Sequence, residues 1–290
     1  MSNTHQGDSP EQASCGNSEK IAEIHRIKEE LKIQEALFAI RHKIVVLSGK
    51  GGVGKSSVAA NLAVALSRKG LKTGLLDTDL HGPSIPTLLG LESQFPAQNN
   101  GRMEPVSYSD TLKVMSVGLL LQDRSEALIL RGPAKHGVIK EFLTCVDWGE
   151  LDYLVVDCPP GTGDEPLSVI QLIQNVDGAV IVTTPQELAL VDVRKSVTFC
   201  RHLNLPVIGI IENMSGHLCP HCGENTDIFK SGGGKQLAFE MGVPFLGSIP
   251  LDAAMVSAGD ADKPFMGENR DTPADGAMRE IFARVHDFVG

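Results

Sequence analysis

No stretch of this chain is apolar for long enough to span a bilayer, and the polar start from Met1 to Lys20 lacks the apolar core of a signal peptide. A membrane protein or an exported one is therefore not expected, and the sequence reads as cytoplasmic. Positive charge is in deficit as well: 26 Lys and Arg stand against 36 Asp and Glu, a formal net charge of -10. That balance argues against broad attraction to DNA or anionic lipid, so neither nucleic acid nor membrane is expected as a partner. Six cysteines in 290 residues, in a reducing compartment, are thiols or metal ligands rather than a disulfide framework. No internal repeat is apparent. What remains is an ordinary globular composition, 42% hydrophobic and 21% charged, on a chain long enough for a substantial core.

The most informative segment is Gly49-Lys-Gly-Gly-Val-Gly-Lys55-Ser56, which fits the phosphate-binding pattern GxxxxGK[ST]. Its glycines let successive backbone N–H groups curl around a polyphosphate. Lys55 supplies charge to the outer phosphates, and the Ser56 hydroxyl is a ligand for Mg²⁺. The apolar run from Lys43 to Ser48 predicts a buried strand entering the loop, and Val58, Leu62, Ala65 and Leu66 recur at helical spacing beyond it, so a helix N-terminus points at the phosphates. Lys50 is unusual, because a loop whose backbone already cradles phosphate gains little locally from a second flexible cation. The pattern GKGGVGK[ST] resembles the deviant loop of the ParA/MinD/nitrogenase-iron-protein ATPases, in which that lysine reaches the partner's nucleotide. The resemblance implies a nucleotide-sandwich homodimer.

Short apolar runs alternate with helical segments along the rest of the chain, which predicts an α/β fold: a doubly wound, mostly parallel sheet with ligand at the carboxyl ends of its strands. Strands are expected at Lys43 to Leu47, Thr73 to Leu76, Leu112 to Ser116, Tyr153 to Val156, Ala179 to Thr183, Val207 to Ile211 and Phe245 to Ser248. Residues 1–17, rich in Ser, Asn, Gln and Gly and carrying Cys15, read as a disordered tail. Residues 18–40, with Ile21, Ile24, Ile27, Leu31 and Leu37 near helical spacing, read as an amphipathic helix docked on an ATPase domain that occupies 41–290.

Two acidic clusters follow predicted strands and so belong on the rim beside the phosphate loop: Asp77 with Asp79, and Asp157. A carboxylate there holds the water shell of Mg²⁺ or orients the attacking water. Asp157 is assigned to the Mg²⁺ environment and either Asp77 or Asp79 to the water. Gly161-Thr-Gly163-Asp164 is a segment suited to sensing the terminal phosphate. No [NT]KxD segment for guanine is found. Asn213, after the strand Val207 to Ile211, can bond an adenine edge as donor and acceptor, so ATP is favoured.

The second informative feature is Cys219-Pro-His-Cys222-Gly. Three chemistries compete for it. Thiol redox exchange wants a thioredoxin-like setting that is missing here. Zinc would take His217 or His221 beside the two sulfurs. A 4Fe-4S cluster wants four thiolates, of which one chain supplies two and a twofold axis the rest, the same twofold that Lys50 calls for. Cys145, Cys158 and Cys200 are expected to be small buried hydrophobes, and Gly232-Gly-Gly-Lys235 a helix-opening loop.

Taken in order, GKGGVGKSSVAANLA, LLDTDLHGPSIPTLLG, RGP, WGELDYLVVDCPPGTGDEPLS, IENMSGHLCPHCG and FLGSIPLD resemble the Mrp/ApbC family of iron-sulfur carrier ATPases, over roughly residues 40–265. The resemblance implies nucleotide contacts at Lys50, Gly51, Gly52, Val53, Gly54, Lys55, Ser56 and Ser57, and cluster ligation by Cys219 and Cys222. It also implies ATP, Mg²⁺ and a 4Fe-4S cluster as bound groups, a homodimer, and transactions with cluster-assembly proteins and client apo-proteins. The tail departs from the longer relatives in having only Cys15, and Val256 stands where many members have arginine. The competing expectations are a ParA/MinD-like spatial-organisation ATPase with structural zinc, for which the last helix is a poor membrane anchor, and an electron-donating reductase.

Overall fold

A computed structural model describes residues 27–28, 31–99, 101–121, 132–219, 222, 224–268 and 270–290. The predicted tail, Cys15 and the first part of the predicted docking helix lie outside these residues. A short helix over residues 31–38, α1, leads into the strand β1 (Ile40–Ser48), which begins earlier than the apolar run proposed. There follow α2 (Lys55–Arg68), β2 (Thr73–Asp77), α3 (Ile85–Leu88), β3 (Ala97–Asn99), β4 (Arg102–Glu104), β5 (Val106–Ser109), β6 (Leu112–Ser116) and α4 (Gly132–Cys145). The second half runs β7 (Leu151–Asp157), α5 (Asp164–Ile173), β8 (Gly178–Thr183), α6 (Glu187–His202), β9 (Val207–Leu218), β10 (Asn225–Thr226), α7 (Gly233–Met241), β11 (Phe245–Leu251), α8 (Ala253–Asp260) and α9 (Pro273–Val289).

Among the described residues one nine-stranded sheet runs β10-β9-β8-β1-β7-β2-β6-β5, with β11 also on β9. All its pairings are parallel except β5 on β6 and β10 on β9. This is the doubly wound sheet expected from the sequence, and every predicted strand is present. The strands read as unbroken apolar runs because both faces are covered. Successive residues alternate: Ile44, Val46, Leu75, Val155 and Val180 enter the core under α2 and α9, while Val45, Leu47, Leu76, Leu154 and Val156 enter the one that holds Ile139, Phe142 and Val197 of α4 and α6.

Helix α2 lies close against the sheet because its inner face mixes small residues, Ala59 and Ala63, with Val58, Leu62 and Leu66, all at most 1% exposed. Each of the larger three contributes about 1.5–3 kcal/mol by burial. Asn61 Oδ1 and the Arg68 guanidinium hold the Met266 backbone at 2.7 Å each, which staples α2 to the segment before α9. Helix α1 docks through Ile33 and Leu37, whereas Ile27 and Leu31, expected on the same face, are 45% and 52% exposed.

Candidate functional site

The loop from Gly49 to Gly54 leaves the carboxyl end of β1 and turns into α2. Gly54 is the helix N-cap at φ +82°, with no capping side chain and no acid in the first turn, so the helix N–H groups stay open to an anion. Only glycine fits there: the conformation is left-handed, and a Cβ would overlap the Asn213 amide nitrogen. At Gly49 the constraint is different, since a Cβ would stand 2.5 Å from the Asp192 carbonyl carbon on α6. Gly51 and Gly52 are exposed with open space around them, and Ser56 and Ser57 are half-buried in the first turn of α2.

Strand register brings the acids to this loop. Asp157 ends β7 opposite Val46 of β1 and opposite Asp77 of β2. Lys55, 6% exposed, donates to Asp157 Oδ1 at 2.5 Å, and lies 3.4 Å from Ser56 Oγ. Burial works against the lysine charge, but the Asp157 carboxylate outweighs it and holds the ammonium above its ordinary range. Asp157 Oδ2 is buried without a hydrogen-bond partner among the described residues. An open glycine cradle, a free helix N-terminus and an orphaned carboxylate oxygen beside a serine hydroxyl fit a Mg²⁺-bound polyphosphate.

Asp77 and Asp79 differ sharply. Asp77 is fully buried, accepting from Ser116 Oγ at 2.9 Å and from the Asp79 amide at 3.0 Å. Burial and the neighbouring Asp157 push its carboxyl up to about 8. Burial raises the Asp157 carboxyl too, against the pull of Lys55, so one cation serves two buried acids. Asp79 is half-exposed, its Oδ1 accepting from the His81 and Gly82 amides at 3.3 Å. Because the folded state holds a proton at Asp77 that the unfolded chain releases near its ordinary value of 3.8, the folded state binds more protons throughout that interval. Nucleotide-free stability should therefore fall as pH rises from about 4 to about 8. Asp77→Asn should flatten that fall, a difference readable in paired thermal melts; parallel pH profiles would contradict it.

Strand β9 carries residues that sequence reasoning read differently or missed. Asn213, 4% exposed, donates one amide N–H to the Val53 carbonyl at 2.9 Å, so one of its two donors is committed to the loop, and the second N–H and Oδ1 remain for a base. Glu212, missed, is fully buried and accepts from Ser215 Oγ at 2.5 Å, from the Gly232 amide at 2.8 Å and from the Gly234 amide. It fixes the opening of α7, the expected role of the Gly232-Gly-Gly-Lys235 segment. The only sequence signal for Glu212 was a charge at the end of an apolar strand. Ser116 and Asp192 gave none.

Past Gly216, β9 pairs with β10 in antiparallel register, and the Cys219 amide donates to the Glu224 carbonyl at 2.9 Å. Cys219 and Cys222 therefore sit on a hairpin at the end of the strand, half-buried and exposed respectively. His217 Nδ1 lies 3.2 Å from the Leu251 carbonyl oxygen, which occupies one of its ring nitrogens, and His221 lies outside the described residues. Among the described residues no group of three or more His, Cys, Asp or Glu is arranged to hold a metal ion. Cys158 and Cys200 are fully buried, as expected, while Cys145 is half-buried. The phosphate loop and the cysteine hairpin are thus separate places joined by one strand.

A model of the ParA group described as NUBPL iron-transfer P-loop NTPase matches residues 39–286. The chain belongs to this family of P-loop NTPases. It is 49% identical over 280 residues to an iron-sulfur cluster carrier protein of Methanocaldococcus jannaschii, covering 97% of this chain and 94% of that protein. Among solved structures it is similar to a nucleotide-binding protein of Archaeoglobus fulgidus in complex with ADP, with Co also found, at a TM-score of 0.74 and 43% identity over 83% of this chain and 94% of that one. MinD of Pyrococcus horikoshii, complexed with Mg-ADP, shares the fold at a TM-score of 0.63 and 22% identity, over 87% and 98% of the two chains. Membership of the NUBPL-type NTPases makes the chain a homologue of iron-sulfur carriers with a nucleotide-binding core. None of its described helices is long and apolar enough to cross a membrane. The last helix, α9, buries Met278, Ile281, Phe282 and Val285 in the core, so its apolar face is already used.

Proposed function

We propose that the chain is an ATP-hydrolysing iron-sulfur carrier that works as a homodimer in the cytoplasm. Two copies hold a 4Fe-4S cluster between their Cys219 and Cys222 thiolates, accept it from cluster-assembly proteins and deliver it to apo-proteins. What carries this is the exposed cysteine hairpin on the same sheet as a complete phosphate site. One chain offers two thiols, and a cluster wants four, which supports a shared site across a twofold. A labile cargo needs exposed ligands, and Cys222 is exposed.

At the nucleotide, the loop amides from Gly49 to Gly54 and Lys55 bind the phosphates, and Ser56 and Asp157 would hold Mg²⁺. Bound there, Mg²⁺ draws off charge developing on the phosphate oxygens. Asp79 orients the attacking water, supported by its half-exposed position on the rim, whereas Asp77 is buried and committed on both oxygens. Asn213 steadies the loop and offers Oδ1 to an adenine edge. Lys50 is half-exposed, and its ammonium has no ion-pair partner among the described residues, which supports a target in a second copy.

The test is transfer. Protein reconstituted anaerobically with iron and sulfide should restore activity to apo-aconitase faster than free iron and sulfide at the same concentration. Equal rates would overturn the carrier role.

A further inference from the structure

We infer that β9 is a mechanical link through which occupancy of the phosphate loop sets the geometry of the Cys219–Cys222 hairpin, with Asn213 as the positioning residue at the loop end. The link rests on nucleotide and cluster occupying the two places proposed above. At one end, Asn213 holds the Val53 carbonyl at 2.9 Å. Met214 Cε lies 3.8 Å from where a Gly54 Cβ would stand. A shift of the loop backbone at Val53 therefore acts directly on Asn213, with Met214 the next residue along the strand. On their other flank Glu212 is pinned by the Ser215 hydroxyl and by the Gly232 and Gly234 amides, so a displacement is not absorbed upstream.

Downstream the strand breaks its pleat twice, at Met214 with φ +58° and at Gly216 with φ +72°. A left-handed methionine inside a strand is strained and persists only where its surroundings hold it. Gly54 of the phosphate loop is one of those neighbours. Past the kink the strand is tied again, His217 pairing with Leu251 of β11 and Leu218 with Asn225, and Cys219 follows directly. A shift at Asn213 therefore passes to the hairpin as a change of strand direction rather than being lost in a loop. Coupling of this kind is reciprocal: whatever nucleotide does to cluster affinity, cluster does to nucleotide affinity.

The experiment uses the full chain, reconstituted anaerobically, with and without a non-hydrolysable ATP analogue. Iron loss to a ferrous chelator is timed, and hydrogen exchange is followed over residues 217–226. In the wild type the analogue should change the rate of iron loss by about fivefold or more, and alter exchange in the hairpin. Met214→Gly touches neither ligand and relaxes the kink, so both ligands should bind while the ratio falls below about twofold. Asn213→Asp, which cannot donate to Val53, should also lose the ratio. Both ligands binding to the wild type with no mutual effect, or an unchanged ratio in Met214→Gly, would overturn the link alone. Failure of the wild type to bind analogue or iron at all would overturn the proposed function and the link with it.

Discussion

Lys50→Ala is expected to leave ATP binding to the isolated subunit within about twofold of wild type while lowering turnover by about 10³-fold, the scale of a cation supplied across an interface to a transferring phosphoryl group. The difference between the two lysines of the loop is physical. Lys55 is buried and already engaged with Asp157 at 2.5 Å, so its loss would strip charge from both the phosphate site and the buried acids. Lys50 is held only by its backbone, whose carbonyl accepts from Ser48 Oγ at 3.0 Å, and its side chain is left to reach outward. Mixing Lys50→Ala with an Asp79→Ala partner should recover part of the turnover, because the two defects then fall on different sites of the heterodimer. Wild-type turnover for Lys50→Ala across a range of protein concentrations would end the trans-acting role.

The parallel sheet was legible because a strand buried on both faces is a run of Val, Ile and Leu that little else imitates. Strands β3, β4 and β10 were not, being two or three residues long at exposed edges, with sequences such as Ala97-Gln-Asn99 that carry no apolar pattern. Strand β5 escaped for a related reason, since its antiparallel turn back along β6 buries Val106 but leaves Ser107 and Ser109 exposed. The phosphate loop announced itself because its chemistry fixes residue types at fixed spacing. The division between Asp77 and Asp79 did not, since it depends on the register that sets Asp77 against Asp157 and Ser116. Asn213 has the same lesson at longer range: its partner Val53 is 160 positions away, and nothing local to either residue tells of the other.

Cys219→Ala with Cys222→Ala should reduce reconstituted iron and sulfide to background, at least tenfold below wild type, with the melting curve unchanged. The thiols lie on a hairpin outside both cores, so their removal opens no cavity. The buried Cys158 and Cys200 cannot replace them. Burial pushes the Cys200 thiol up to about 12 and raises Cys158 further, and a thiol that stays protonated is a poor metal ligand. Cys200→Ala should therefore keep its iron. A double variant that retains a full complement would move the metal site elsewhere and remove the carrier proposal.

A cluster shared between two copies of the chain is tested by native mass spectrometry of the anaerobically reconstituted protein, paired with Mössbauer spectroscopy. The expected result is a dimer carrying a single 4Fe-4S cluster, with loss of both cluster and dimer mass on chelation of iron. A monomer with its own cluster, or a metal-loaded species holding zinc in each chain, would contradict it.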